Sequence, residues 1–167
     1  YTLEERLAAL EGGRFCILSP SGLAAITNVN LGLLQQGDEL LLPANVYGPS
    51  NDMAVNVLSR WGITHRFYDP MDAASLSGLI TPQTRLIWLE AAGSVTLEFP
   101  DLVGLVAQAR QHPRVLLAMD NTWGAGLAFD TFALGVDVSA HALTKYPSGG
   151  GDVLMGSVTT RDESLHM

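Results

Sequence analysis

Cysteine and long apolar runs are both scarce in this chain of 167 residues. Its one cysteine, Cys16, lies inside the apolar run 15–18, so an internal disulfide is excluded and we expect a small core residue. No apolar run reaches the roughly 18 residues that a membrane-spanning helix requires. Residues 1–13 have the pattern of an amphipathic helix and not of a signal peptide. These features predict a soluble protein of a reducing cytoplasm, without a membrane partner.

Positive charge is scarce as well, because the formal net charge is −8 at pH 7. The arginines are scattered along the chain and form no stripe that could follow a phosphate backbone. We therefore expect no nucleic-acid partner. Apolar residues make up 47% of the chain and charged residues only 16%, which argues against disorder and favours a globular domain with a large core.

Lysine is the scarcest of the charged residues, since Lys145 is the only lysine among nine basic side chains. Arginine can serve solvation, ion pairing and phosphate contact, but it cannot form a Schiff base, which requires a primary amine that loses its proton. Lys145 is therefore a candidate for covalent chemistry. A compositional bias towards arginine explains a lone lysine equally well.

Helical and strand-like segments alternate along the chain. Thr2 and Glu5 have the spacing of a capping box, and leucines then recur at helical spacing up to Gly12. Seven segments have the length and composition of strands, at about 14–18, 39–42, 64–68, 85–89, 115–119, 136–140 and 153–159. Helical segments lie between them, at about 22–35, 49–61, 73–79 and 101–111. This alternation predicts one α/β domain over residues 1–167, with three α/β/α layers and a mostly parallel sheet.

Two of the predicted strands end in polar sequences suited to a charged ligand, which in parallel sheets binds where strands end. After the first strand, backbone N–H groups of Ser21, Gly22 and Leu23 at a helix start could bind a phosphate, although simple helix capping is the alternative. Asp120 ends the strand 115–119, where a buried carboxylate suits a cationic partner such as a protonated pyridine. An Asx-turn is the alternative for Asp120.

Two further strand ends add an amine and an aromatic ring. Lys145 follows the strand 136–140, and glycines at 149–151 allow a tight turn beside a ligand. Tyr47 stands at a strand-to-helix turn, where its ring could stack on a flat heterocycle or simply pack. Four features together indicate pyridoxal phosphate (PLP): a phosphate-binding helix start, an aromatic ring that can stack, an acid that can pair with a pyridinium, and an amine that can form an imine.

Several motifs carry a family resemblance that extends from about Leu18 to Gly156. They are S-G-L-A-A-I, Q-G-D-E-L-L, Y-G-P-S, G-S-V-T-L-E, D-N-T-W-G-A-G and G-V-D-V-S-A-H-A-L-T-K-Y. The set resembles the transsulfuration (Cys/Met metabolism) family of PLP enzymes, which share the aspartate aminotransferase fold, PLP fold type I. G-S-V-T-L-E and D-N-T-W are similar to the cystathionine β-lyase type rather than to the γ-acting members.

The resemblance implies a role for each candidate residue. Lys145 would hold the cofactor as an imine, and Asp120 would hold the pyridine nitrogen. Tyr47 would stack on the cofactor ring, and Ser94 would lie near the phenolic oxygen and the substrate carboxylate. The remaining cofactor-binding residues implied are Ser21, Gly22, Leu23, Thr122 and Thr144, most of them at the phosphate.

The implied reaction is an α,β-elimination that cleaves cystathionine to homocysteine, pyruvate and ammonia, a step of methionine biosynthesis. Released Lys145 amine would remove the Cα proton of the amino-acid substrate. The open alternatives are cystathionine γ-synthase, cystathionine γ-lyase, methionine γ-lyase, O-acetylhomoserine sulfhydrylase, and a non-catalytic fragment of the PLP domain.

The family pattern also implies parts that these 167 residues do not contain. Relatives form homotetramers, as dimers of dimers, and complete each site with a tyrosine and an arginine from a neighbouring subunit. A C-terminal domain supplies the arginine for the substrate carboxylate. We therefore expect this chain to be a fragment that lacks an N-terminal segment and that domain, and to be inactive alone.

Three positions depart from the family pattern. Ala142 stands in place of a serine, Gly150 in place of a histidine, and Ala91-Ala92 in place of Ser-Pro. We expect the cofactor affinity or the choice of substrate to differ from that of family members with the usual residues.

Two rival sites are disfavoured by spacing. Gly124-Ala125-Gly126 suggests a dinucleotide-binding loop, but Phe129 occupies the position of its third glycine. The histidines are far apart in sequence and lack paired spacing, so we expect no metal site. They are His65, His112, His141 and His166.

Overall fold

The computed structural model describes residues 1–166, which form two compact units. The first unit contains residues 1–29 and the described residues from 118 onward, and the second contains residues 30–117. The strands are β1 (Phe15–Ser19), β2 (Glu39–Pro43), β3 (Thr64–Tyr68), β4 (Thr84–Glu90), β5 (Leu116–Asp120), β6 (Val138–His141) and β7 (Gly156–Thr160). The α-helices are α1 (Thr2–Leu10), α2 (Gly22–Leu33), α3 (Gly48–Asn56), α4 (Leu76–Leu79) and α5 (Leu102–Ala109). Short 3₁₀ turns lie at Leu58–Trp61, Ala73–Ser75 and Glu163–Leu165.

In the first unit, β7 lies between β1 and β6 and pairs antiparallel with both. β5 pairs parallel with β6, with Ala118 opposite Val138 and Asp120 opposite Ala140. Because β1, β5 and β6 run in the same direction, their carboxyl ends lie at one edge of the sheet. The loops that follow these three strands carry most of the predicted site residues.

In the second unit, β2 pairs parallel with β3 on one side and with β4 on the other. Every residue of β2 is buried, and so are Leu86 to Glu90 of β4. Continuous burial along a strand is typical of a parallel sheet covered on both faces. The parallel direction brings the carboxyl ends of β2 and β4 to the same edge, where Tyr47 and Ser94 follow. The predicted α/β class with a mostly parallel sheet is confirmed.

Three local predictions are wrong. Thr2 lies inside α1 and caps nothing, since the N-cap is Tyr1, which makes no side-chain capping bond. The predicted helix 49–61 is two elements: α3 ends at Asn56, the backbone of Val57 is distorted to a φ of −115°, and the 3₁₀ turn that follows is capped by Gly62 with φ of 74°. The last strand begins at Gly156 and not at 153, because the backbone of Met155 is bonded to Thr144 in the preceding loop.

None of the helices formed by residues 1–166 has the length and apolar character needed to cross a membrane.

Cys16 is a core residue, as predicted: it is 6% exposed and packs in a cluster with Leu7, Ala8 and Leu143. Burial raises the pKa of the Cys16 thiol to about 11, so the thiol stays protonated near neutral pH.

A thiol reagent should therefore label Cys16 very slowly in the folded protein at about pH 8, and rapidly once the protein is unfolded in urea. The measurement is the rate of colour release from a disulfide reagent. A matched control places the thiol one residue along the strand, at Ile17, which is 40% exposed. The double variant Cys16→Ser, Ile17→Cys should react rapidly when folded, and equal rates for the two folded proteins would contradict the burial of Cys16.

Candidate functional site

Asp120 ends β5 with a half-buried side chain. Burial raises the pKa of this carboxyl, and hydrogen bonds from Thr122 only partly offset that effect. One of these bonds runs from the Thr122 backbone N–H to Oδ1 of Asp120 at 3.0 Å, which is the Asx-turn considered as the alternative. The turn does not remove the cost of the buried charge, so a cation beside Asp120 would be stabilised.

The start of α2 combines a helix cap with open backbone donors. Ser21 Oγ accepts a hydrogen bond from the Ala24 N–H at 3.0 Å, and the Ser21 carbonyl accepts one from Ala25 at 3.0 Å. Among residues 1–166, no hydrogen bond occupies the N–H groups of Gly22 and Leu23. Open N–H groups at a helix start, together with the helix dipole, favour an anion. Capping and anion binding are therefore compatible here.

Close contacts join the loops that follow β1, β5 and β6. A Cβ atom added to Gly22 would lie 2.5 Å from Cβ of Ala142, and one added to Gly156 would collide with the carbonyl of Ser21. The Ala142 N–H donates to Oγ1 of Thr122 at 2.9 Å. The start of α2 and the turn at Asp120 are thereby held against the segment that leads to Lys145.

Lys145 lies in the turn after β6 with an exposed side chain. Its backbone N–H donates to the Ala142 carbonyl at 3.0 Å. No hydrogen bond or ion pair described for residues 1–166 involves its amine, so the amine is available to a ligand. The neighbouring Thr144 has a different environment, because its Oγ1 is bonded to both the N–H and the carbonyl of Met155 at 3.2 Å.

Tyr47 and Ser94 lie in the second unit, where Glu90 at the end of β4 joins them. The Tyr47 backbone N–H donates to Oε2 of Glu90 at 3.0 Å, and the Ser94 hydroxyl donates to Oε1. Tyr47 itself is 40% exposed, so its ring has a free face. The structure thus brings these two predicted residues to one carboxylate.

The predicted site residues form two sets. The first unit brings together the end of β5, the start of α2 and the turn after β6, with Ser21, Gly22, Leu23, Asp120, Thr122, Thr144 and Lys145. The second unit holds Tyr47 and Ser94. The ligand roles of all nine remain predictions, and Thr144 has a hydroxyl already engaged by backbone.

A buried hydrogen-bond network centred on Glu11 lies behind Asp120, and the sequence patterns do not predict it. Glu11 is 3% exposed, and its Oε1 lies 3.0 Å from Nδ1 of His141. Its Oε2 accepts hydrogen bonds from Nδ2 of Asn121, at 3.1 Å, and from the Ser139 hydroxyl. Burial raises the pKa of Glu11, but the bonds from His141, Ser139 and Asn121 outweigh burial, and the net pKa is lowered. Glu11 is therefore a buried, charged carboxylate.

Weak signals for the missed residues exist in the sequence. Glu90 ends β4 as Asp120 ends β5, so the rule that singled out Asp120 applies equally to Glu90. Glu11 stands next to apolar helix positions, where a lone acid is unusual. Sequence spacing tests His141 only as a metal ligand, and its contact with Glu11 becomes visible only in the structure.

The rival sites gain no support. Residues 122–127 form consecutive turns and open no helix, so Gly124 and Gly126 do not form a dinucleotide loop. A Cβ atom on Gly124 would collide with the side chain of Asn121, which explains that glycine by packing. Among residues 1–166, no three His, Cys, Asp or Glu side chains gather as metal ligands.

Comparisons with known proteins identify relatives of this chain. A profile of the family described as Cys/Met metabolism PLP-dependent enzyme matches residues 1–167. The chain is 44% identical over 163 residues to cystathionine beta-lyase of Bordetella avium, covering 98% of this chain and 40% of that protein. It is 37% identical over 158 residues to cystathionine beta-lyase MetC of Escherichia coli strain K12, covering 94% and 40%.

A γ-acting relative and a solved structure are also similar. Human cystathionine gamma-lyase is 36% identical over 164 residues, covering 98% of this chain and 40% of that protein. The crystal structure of metB from Corynebacterium glutamicum superposes with a TM-score of 0.94 at 28% identity, covering 98% of this chain and 42% of that one. That likeness confirms the predicted aspartate aminotransferase type of fold. The chain spans about 40% of the length of the curated relatives it matches.

The raised pKa of Asp120 predicts a stabilising effect of Asp120→Asn on the cofactor-free protein near pH 7. A carboxyl whose folded pKa lies above its unfolded value of about 3.8 favours folding below that value, and this contribution is lost as the pH rises through the folded pKa. Urea unfolding should show that the advantage of Asp120→Asn over wild type grows with pH in that window. A variant less stable than wild type near pH 7 would contradict the desolvation of Asp120.

Glu11→Gln should behave in the opposite way and lower the free energy of unfolding by about 3 kcal/mol near pH 7, because hydrogen bonds to a buried charged group are each worth about 1.5–3 kcal/mol. The lowered pKa of Glu11 means that its contribution is present above its ordinary value of 4.5 and is lost as the pH falls through the folded pKa. Urea unfolding between about pH 7 and pH 3 checks this. The gap between wild type and variant should narrow below pH 4.5; a constant gap would count against a charged Glu11.

Proposed function

The chain belongs to the Cys/Met metabolism PLP-dependent enzymes, and from this membership we propose that it is the cofactor-binding part of a carbon–sulfur lyase that cleaves cystathionine by α,β-elimination. Pyridoxal phosphate is the cofactor of this family. The observation that carries the proposal is that Asp120 ends β5 and Lys145 follows β6, the parallel neighbour of β5.

The residues present fit the three polar parts of PLP. The phosphate dianion suits the open N–H groups of Gly22 and Leu23 at the start of α2. The protonated pyridine nitrogen suits Asp120, whose carboxyl has a raised pKa and gains from a cationic partner. The aldehyde suits the exposed amine of Lys145. When bound, PLP supplies an electron-withdrawing ring that takes up charge from a breaking bond at Cα.

The proton movements fall to Lys145. Its free Nζ would be the base that removes the Cα proton of the substrate. Loss of the Cβ–S bond would release the sulfur as a thiolate, which takes a proton to give homocysteine, and water would convert the three-carbon remainder to pyruvate and ammonia. Asp120 would hold the pyridine nitrogen of the cofactor, because its carboxylate stabilises an adjacent positive charge.

Tyr47 and Ser94 are proposed contacts of the same cofactor. The half-exposed ring of Tyr47 is suited to stack on the pyridine ring. Ser94 is proposed to face the phenolic oxygen and the substrate carboxylate. Thr122 and Thr144 complete the proposed set through their positions beside Asp120 and Lys145.

The β-lyase reaction is favoured by the names of the relatives from Bordetella avium and Escherichia coli, at 44% and 37% identity. A γ-lyase is the second candidate, because the human cystathionine gamma-lyase is 36% identical. The motifs D-N-T-W and G-S-V-T-L-E, which resemble the β-lyase type, support the first choice.

We also propose that these 167 residues are part of a longer cytoplasmic protein. The relatives are more than twice as long as the segment they share with this chain. The complete enzyme would be a homotetramer with active sites shared between subunits. The chain by itself is then expected to bind its substrate incompletely and to lack turnover.

The test is product analysis of the complete protein with cystathionine and PLP. We expect pyruvate, homocysteine and ammonia in equal amounts, and Lys145→Arg should abolish turnover because arginine offers no primary amine. Arg114→Lys, at an exposed position, is the matched control and should keep activity. Release of 2-oxobutyrate in place of pyruvate would assign γ-lyase chemistry. A Lys145→Arg protein that stays yellow and resists borohydride bleaching would overturn the role of Lys145.

A further inference from the structure

Glu90 is a buried carboxylate at the carboxyl end of β4, and it is 3% exposed. β4 is the parallel neighbour of β2, with Leu41 opposite Ile87. The loops after both strands therefore begin at the same edge of the sheet. Glu90 lies where these two loops meet, and neither the family comparison nor the sequence motifs assign it a role.

Each carboxylate oxygen of Glu90 binds a different loop. Oε2 accepts the backbone N–H of Tyr47 at 3.0 Å, and Oε1 accepts the hydroxyl of Ser94. The Tyr47 carbonyl is also engaged, since it accepts N–H groups of Ser50 and Asn51 at the start of α3, at 2.9 and 3.2 Å. The backbone of Tyr47 is thus fixed on both sides. A charge at this point is favoured by the helix start.

Asn45 forms a second link between the same loops. Its Nδ2 lies 2.9 Å from Oγ1 of Thr96 and 3.3 Å from Oε2 of Glu98. The loop 93–98 is closed by its own backbone, with the Gly93 N–H bonded to the Glu98 carbonyl at 3.0 Å. Gly93 has no room for a side chain because the Asn45 amide packs against it. Ser94 therefore sits on a loop anchored at several points, and Glu90 sets the direction of its hydroxyl.

We propose that Glu90 is a positioning residue that fixes Tyr47 and Ser94 together for the bound cofactor. This inference rests on the proposed function, in which these two residues contact the cofactor and substrate. A carboxylate only accepts hydrogen bonds, so the hydroxyl of Ser94 donates its single hydrogen to Glu90. The Ser94 oxygen can then act towards a ligand only as a hydrogen-bond acceptor. Glu90 thereby makes Ser94 a hydrogen-bond acceptor for a ligand and also fixes the position of the Ser94 side chain.

The chain offers a matched control in the same unit. Glu39 is also a buried carboxylate, bonded by Arg66 at 2.7 Å and by the hydroxyls of Thr81 and Thr84. It begins β2, so it lies at the opposite edge from Tyr47 and Ser94. Glu39→Gln removes a buried charge without touching the proposed site, and it reports the general cost of such a change.

The experiment compares Glu90→Gln, Glu39→Gln, Ser94→Ala and the double variant of Glu90 and Ser94 in the complete protein. We expect Glu90→Gln to lower kcat/KM about tenfold, near the effect of one lost hydrogen bond. The visible circular dichroism of bound PLP should change as well, because the contacts around the ring shift. Glu39→Gln should leave both unchanged. In a Ser94→Ala background, the part of the Glu90→Gln effect that acts through Ser94 should disappear and the part that acts through Tyr47 should remain, since interacting residues are not additive.

Several results would overturn the proposal. One is a Glu90→Gln enzyme with the circular dichroism and kcat/KM of wild type, and another is an equal loss in Glu39→Gln. If Glu90→Gln does not fold, Glu90→Asp keeps the charge on a shorter side chain and should still alter the circular dichroism. A measurement on wild type needs no variant: the Tyr47 N–H should be protected from hydrogen exchange without cofactor, and rapid exchange would overturn the proposal. A wild-type protein that binds no PLP would instead remove the proposed function.

Discussion

The buried carboxylate of Glu11 is the interaction on which the first unit depends. It lies at the end of α1 and receives hydrogen bonds from Asn121, which directly follows β5, and from Ser139 in β6, together with the contact of His141 in β6. A charge this deep is stable only while its donors are in place, so one helix and two strands are held in a single arrangement. Asp120 is the last residue of β5, and Lys145 lies in the turn after β6, so the same arrangement positions both.

A second buried carboxylate organises the other unit in a similar way. Glu90 ends β4 and holds the loops that bear Tyr47 and Ser94. Glu11 in the first unit and Glu90 in the second are each 3% exposed, while the residues expected to meet the ligand are more exposed. In each unit one buried acid thus supports the residues that are proposed to contact the ligand. Such support is what keeps a reactive geometry within the narrow range that catalysis requires.

Most of the fold could be predicted from the sequence because it is encoded locally. Apolar runs of strand length located each of the strands β1 to β7, and β3 (Thr64–Tyr68) has the predicted bounds. Helical spacing of apolar residues located the helices between them. Candidate residues followed from the rule that ligands bind at strand ends, which needs no knowledge of contacts. The same rule applies to Glu90, but the hydrogen bonds that Glu11 and Glu90 receive could not be predicted from strand ends. Glu11 and His141 are separated by 130 residues, and only the folded chain brings such groups together. The capping box failed for a related reason, since Thr2 has the right spacing but lies within the helix.

The exposed position of Lys145 has a practical consequence. Within these 167 residues, Lys145 is the only side chain that an amine-selective reagent can label. A fluorescent ester would thus attach at a single defined side chain, beside the proposed phosphate and ring contacts. Binding of vitamin B6 derivatives at Lys145 could then be followed as protection against labelling, by mass spectrometry of one peptide.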